Sequence, residues 1–197
     1  MMSNMGSNSL IFFKIFYLIM LLVIFILPHY SLEGYSILEN TTSELGAQST
    51  PNAWIMNVVF VGLGLCSIWA GWVFLGRNWI IKLILLLFGT ALIMTAIFHH
   101  APIDKALPHS LREDQLHSLF ANITGFSFSV FAFSLGWIAE NGRHKIMAFI
   151  IVVLAPILSI MMFSEFTENW RGIWQRLIFI FMFGWMIYAF STYRIKT

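Results

Sequence analysis

Two adjacent histidines, His99 and His100, are followed by Asp104 and then by Glu113, Asp114 and His117, all inside one short connection of an otherwise apolar chain. Imidazoles and carboxylates at that density can bind a metal or move a proton. Glu113, Asp114 and His117 stand at i, i+1 and i+4, and residues three or four apart share a helix face. One carboxylate and the imidazole can therefore point the same way. Two histidines with one or two carboxylates is the ligand composition of a catalytic zinc site that keeps one position for water. Such an ion brings the pKa of its water to about 7 and makes it a nucleophile. On this reading the ligands of zinc are His117, one of His99 and His100, and Asp104. Ser43 and Glu44 would add a hydroxyl donor and a general base, with Glu113 the other candidate base. A second reading needs no chemistry. Loops at a membrane surface are wet, Arg112, Arg171 or Arg176 can neutralise the acids, and His99 and His100 cannot both face inward from one helix. The sequence leaves both readings open.

The elements that must carry these residues are transmembrane helices. The chain is 59% hydrophobic and 10% charged, against roughly a quarter charged in an ordinary soluble domain. Six runs, approximately 9–28, 53–75, 79–98, 116–139, 146–164 and 173–192, are long enough to cross a hydrocarbon core of about 30 Å. In lipid such runs must be helical, because the backbone finds no water there. The expected fold is all-α: one polytopic domain, 1–197, of six transmembrane helices. The first run carries Lys14 ahead of its apolar stretch, as a signal peptide does. Its exit, Leu27-Pro28-His29-Tyr30-Ser31, has no small-x-small cleavage site, so it reads as a retained span. One cysteine, Cys66, excludes an intrachain disulfide. No basic patch with interleaved aromatics points to nucleic acid, and the expected partner is membrane lipid; oligomeric state is left open. No phosphate-binding loop, Gly-x-Gly-x-x-Gly or Gly-x-Ser-x-Gly is present.

Local signals refine this. Thr42 to Ala47 reads as a short helical turn stopped by Gly46. Ser110 and Glu113 match a capping box, each side chain answering the other's amide, so the fourth helix starts near Leu111. In the second span Gly62, Cys66 and Ala70 form a stripe for close helix packing, and Asn57 reads as a bond to neighbouring backbone. In the fourth, His117, Ala121, Gly125 and Ser129 form a stripe that reads as facing protein rather than lipid. Gly76-Arg77-Asn78 is a tight turn flanked by Trp72 and Trp79, the residues that mark a membrane interface. Pro156 is expected to kink the fifth span.

Charge gives the expected orientation. Lys14, Arg77, Lys82, Arg143, Lys145, Arg194 and Lys196 fall on one side with Glu140 alone. Lys105, Arg112, Arg171 and Arg176 fall on the other with the remaining acids and every histidine except His144. The positive-inside rule puts both termini in the cytoplasm and the histidine-rich loops outside it.

Thr42-Ser43-Glu44-Leu45-Gly46-Ala47, Pro51 and Asn57 at the second span, Phe98, Pro102 and Asp104 after the third, and His117 opening the fourth together resemble the six-helix membrane proteins grouped as domain of unknown function 998. The resemblance covers nearly the whole layout. It implies a six-helix protein of the bacterial inner membrane with Ser43, Glu44, Asp104 and His117 as signature positions, and no known activity. A looser similarity is to membrane hydrolases of the alkaline ceramidase and adiponectin-receptor group, which use a serine, an aspartate and three histidines around zinc. It implies a metal-dependent hydrolase of lipid esters or amides. That group has seven helices and a His-x-x-x-His pair on the last; here the sixth span has no histidine. The other class of function is non-enzymatic: a membrane sensor, assembly partner or small-solute carrier.

Overall fold

A computed structural model describes residues 2–196, with side chains from residue 7 onward. Seven α-helices occur among these residues: α1 (Met2–Ile26), α2 (Thr42–Leu45), α3 (Ala53–Phe74), α4 (Trp79–Ile97), α5 (Leu111–Ile138), α6 (Gly142–Phe163) and α7 (Arg171–Thr192). All but the four-residue α2 are long and apolar enough to cross a membrane. A 3-10 turn, Leu27–Tyr30, continues α1, and another, Glu165–Trp170, precedes α7. The spans expected from the sequence match these helices closely at 53–75 and 79–98. α5 starts at Leu111 and α6 at Gly142, before the apolar runs begin. The reason is local: Ser110 and Asn141 cap the first turns, which stand clear of the apolar zone.

The six long helices form a ring. α1 lies beside α3, α3 beside α4, α4 beside α5, α5 beside α6 and α6 beside α7, and α7 returns to α1. The ring is filled by aromatic side chains. Phe13, Phe60, Phe88, Phe128, Phe131 and Phe183 are fully buried; Phe13, Phe88, Phe128 and Phe183 meet one another, Phe60 meets Phe179 and Phe131 meets Trp185, all at tilted or edge-on angles, as aromatic quadrupoles prefer. Outside, Leu18, Ile80, Leu83, Ile150, Val153 and Ile160 are exposed, a surface suited to lipid. Of the residues of α6, only Ala148, Ile151 and Leu158 are buried. α6 also runs through Pro156, whose missing N–H leaves the Val152 carbonyl without its helical donor.

Glycines set the closest approaches. A Cβ on Gly64 would stand 2.7 Å from the Gly89 carbonyl, and one on Gly89 would stand 2.8 Å from the Gly64 carbonyl. α3 and α4 therefore touch backbone to backbone. On the stripe expected from the sequence, Gly62, Cys66 and Ala70 are all buried, and Gly62 receives the Phe16 ring of α1.

The two ends of the ring differ. The turn end has two tight connections: Gly76, at φ +52°, closes α3 to α4, and Asn141 opens α6. The last residues fold back across it, with Glu140 N–H donating to the Arg194 carbonyl at 2.9 Å and Lys196 N–H to the Ile138 carbonyl at 3.0 Å. The loop end carries the long connections 31–52 and 98–110.

Candidate functional site

His117 sits one and a half turns into α5 and is 4% exposed. Its Nδ1 lies 2.8 Å from the Thr95 carbonyl and 2.9 Å from the Phe98 carbonyl, at the C-terminal end of α4. Carbonyls only accept, so Nδ1 carries the proton and Nε2 holds the lone pair. The bond has a structural side, since the last carbonyls of a helix have no partner within it. It also has a chemical side, because a fixed Nδ1–H leaves Nε2 poised as acceptor, base or ligand. The His100 ring packs edge-on against His117, with 5.2 Å between centroids.

The two carboxylates at the start of α5 clasp the end of α4. Glu113 accepts the His99 amide at 3.3 Å and lies 3.5 Å from His99 Nδ1. Asp114 accepts the Ala101 amide at 2.7 Å and lies 3.9 Å from His100 Nδ1. The capping box expected at Ser110 is therefore half formed. Ser110 Oγ accepts the Glu113 amide, but the Glu113 carboxylate goes to His99, and the Ser110 amide donates to Gln48 instead. The reciprocal box lies upstream: Thr41 Oγ1 accepts the Glu44 amide, and the Glu44 carboxylate accepts the Thr41 amide. Glu44 further accepts from the Thr41 hydroxyl at 3.0 Å and faces Arg171 at 3.8 Å. Asp104 is exposed and closes its own turn, accepting the Ala106 amide at 3.0 Å. Asn57 donates to the Gly46 carbonyl at 3.2 Å, as expected.

Ser43 is buried beside a residue that the sequence reading passed over, Gln175. The Gln175 side-chain oxygen accepts from the Thr42 hydroxyl at 2.6 Å and the Ser43 amide at 3.2 Å, while its amide donates to Ser43 Oγ at 3.4 Å. One helical position on, Arg176 is 1% exposed. It donates to the carbonyls of Ile24, Ile37, Asn40 and Gly172 and to the Tyr35 hydroxyl. Burial pushes the Tyr35 hydroxyl up to about 12, against the pull of the adjacent guanidinium. Of the arginines expected to neutralise acids, Arg171 does so, Arg176 is held by neutral oxygens, and Arg112 makes no ion pair among the described residues.

Ser43, His117 and Gln175 come together on the wall of one cavity of about 350 Å³. Thr95, Asn122, Thr124, Ser129 and Ser159 also line it, and the rest of the wall is apolar, with Phe60, Leu92, Phe128, Phe179 and Met182 among it. Its rim lies between α5 and α6, where Phe126 and Phe163 are 72% and 73% exposed. The stripe His117, Ala121, Gly125 and Ser129 lines this space instead of seating a helix, and a Cβ on Gly125 would meet nothing within 4 Å. Small side chains and the proline of α6 leave a void where larger ones would close it. A signal for Gln175 was present in the sequence: an uncharged polar residue next to an arginine within the last span.

Of the residues proposed from sequence, the structure thus joins His117 to His100 and to the cavity that Ser43 also lines. It does not bring Asp104, Glu44 or Glu113 into that cavity. Among the described residues no three His, Cys, Asp or Glu side chains are grouped closely enough to hold a metal ion. No curated protein and no solved structure matches the chain. The family model described as "Protein of unknown function (DUF998)" matches residues 17–192, and with a ring of six membrane-crossing helices behind that match, the chain belongs to this family.

Proposed function

We propose that this protein is a membrane-embedded binding module for a single-chain amphiphile taken up sideways from the bilayer. The observation that carries this is the cavity: about 350 Å³, apolar for most of its wall, with His117, Ser43 and Gln175 lining it as well. Ligand sites are typically apolar clefts of about 300–1,000 Å³ with a few convergent polar groups. An acyl or similar chain would lie against Phe60, Phe128 and Met182. A carbonyl or hydroxyl head would accept hydrogen bonds from Ser43 and Gln175, and a hydroxyl head would in addition donate to His117 Nε2. The loop end faces away from the cytoplasm, a reading supported by the concentration of lysine and arginine at the turn end. The membrane is then the bacterial inner membrane, with the site in its outer leaflet.

The test is extraction and mass analysis of lipid retained by the purified protein. A roughly stoichiometric single-chain species is expected. Gly125→Leu should displace it without lowering the melting temperature, because that side chain grows into open space. His117→Ala should weaken retention about fivefold, the worth of one buried hydrogen bond. A folded Gly125→Leu protein that keeps its lipid, or a parent that retains none, overturns the reading.

One observation favours a second reading, in which the site hydrolyses a lipid ester or amide. The imidazole held through Nδ1–H is the arrangement that ligating and basic histidines share. Metal analysis of the same preparations separates the two: near-stoichiometric zinc, lost in His117→Ala, would favour hydrolysis over binding alone.

A further inference from the structure

At the opposite end of the ring, α4 and α5 enclose a groove of about 710 Å³ that the site above does not involve. It is lined by Ile80, Ile81 and Phe133 together with Arg77, Trp79 and Trp137. Both indoles stand out from the protein, 62% and 69% exposed. Both are also pinned. Trp79 meets Trp72 edge-on at 5.7 Å with the Lys82 ammonium over each ring, and Trp137 stacks on Phe133, which in turn packs on Phe149. Arg77 is exposed, and its guanidinium makes no hydrogen bond or ion pair among the described residues. Glu140 is the one acid that the sequence provides at this end, against Arg77, Lys82, Arg143, Lys145, Arg194 and Lys196 around it.

We propose that this groove is a specific site for a glycerophospholipid with an anionic headgroup. The observations fit one occupant from top to bottom. A free guanidinium matches a phosphodiester, two fixed indoles at an interface match the glycerol ester level, and an apolar trough between two spans matches an acyl chain. Pinning matters because an indole already held in place loses little freedom when a lipid docks. A neutral headgroup would fill the trough equally well but leave the surplus positive charge unanswered.

Native mass spectrometry of the purified full chain tests this, with dioleoyl phosphatidylglycerol and dioleoyl phosphatidylcholine supplied at equal mole fraction. The parent should retain the anionic lipid about fivefold better, the worth of one cation near a membrane surface. Arg77→Gln should bring the two lipids to parity. Arg143→Gln removes a charge from the same end but not from the groove, and should leave the preference intact. Trp137→Ala should lower retention of both lipids together. Equal retention by the parent, an undiminished preference in Arg77→Gln, or the same loss in Arg143→Gln overturns the proposal, the last by reducing it to general surface charge.

Discussion

Arg176 at the loop end and Lys82 at the turn end are 1% and 6% exposed, and neither has a carboxylate within ion-pair distance among the described residues. The two cations are accommodated by different means. Arg176 spends its fork of N–H groups on fixed oxygens from separate segments: the end of α1, the 31–41 connection, and the first turn of α7. Lys82 lies between two π faces, 4.7 Å from the Trp72 centroid and 5.1 Å from the Trp79 centroid. A guanidinium presents directed donors, whereas an ammonium is a compact charge with rotatable ones. The arginine therefore joins parts of the chain that are far apart in sequence, while the lysine stiffens one hairpin. Burial alone does not rank the two; the reach of the partners does.

Substitutions should expose that difference, beginning with the largest effect. Arg176→Gln withdraws the donor from the Ile24 and Ile37 carbonyls and should cost about 2–6 kcal/mol, at about 1–3 kcal/mol for each buried acceptor left unsatisfied. Thermal unfolding in detergent reads this directly, and Arg176→Lys should recover less than half of it. A variant that melts within a couple of degrees of the parent would end the claim that this residue ties the ring. Gly172→Ala attacks the same tie from the backbone side. Its Cβ would stand 2.5 Å from the Ile37 carbonyl and press on the Asn40 carbonyl, so a loss of about 1–3 kcal/mol is expected. Lys82→Met should cost only about 0.5–2 kcal/mol, the range of a cation–π contact. Its signature should be a shift in tryptophan emission with the global melting nearly unchanged.

A comparably small effect at neutral pH belongs to Tyr35→Phe, which takes one acceptor from Arg176 and the hydroxyl that donates to the Asn40 and Thr41 carbonyls, and should cost about 1–2 kcal/mol. Its pH dependence is more telling. The folded protein holds the Tyr35 proton more tightly than the unfolded chain, from 10.0 up to about 12. The stability this contributes is complete below pH 10 and is lost as pH rises through 12. Tyr35→Phe should flatten that alkaline decline, and Lys82→Met should leave it unchanged.

The sequence was most informative where the membrane itself dictates pattern. Span length follows from bilayer thickness, so 53–75 and 79–98 could be read almost to the residue. The start of α5 followed from Ser110. The contents of the site were less legible. Gln175 meets Ser43, and Arg176 meets Ile24 and Ile37, across more than a hundred residues of chain. Arg176 illustrates the physical limit: its partners are mostly backbone carbonyls, which every residue carries, so no letter in the sequence marks them. The Ala121 and Gly125 stripe was visible, but small residues can either admit a neighbouring helix or leave a space. Only the position of α6 decides between the two. Likewise Glu113 carried the letters of a capping box, yet the nearby His99 amide competed for its carboxylate and won.

The position of Arg176 also has a consequence for biosynthesis. The acceptors at Ile24, Ile37 and Asn40 leave the ribosome long before the helix that supplies their donor. Until α7 is made and inserted, the Ile24 and Ile37 oxygens lack that donor, Asn40 keeps only the Tyr35 hydroxyl, and the first span has no neighbour on its far side. A nascent or truncated chain is therefore recognisable as unfinished, and membrane quality-control proteases have an open seam to attack until the final helix locks it.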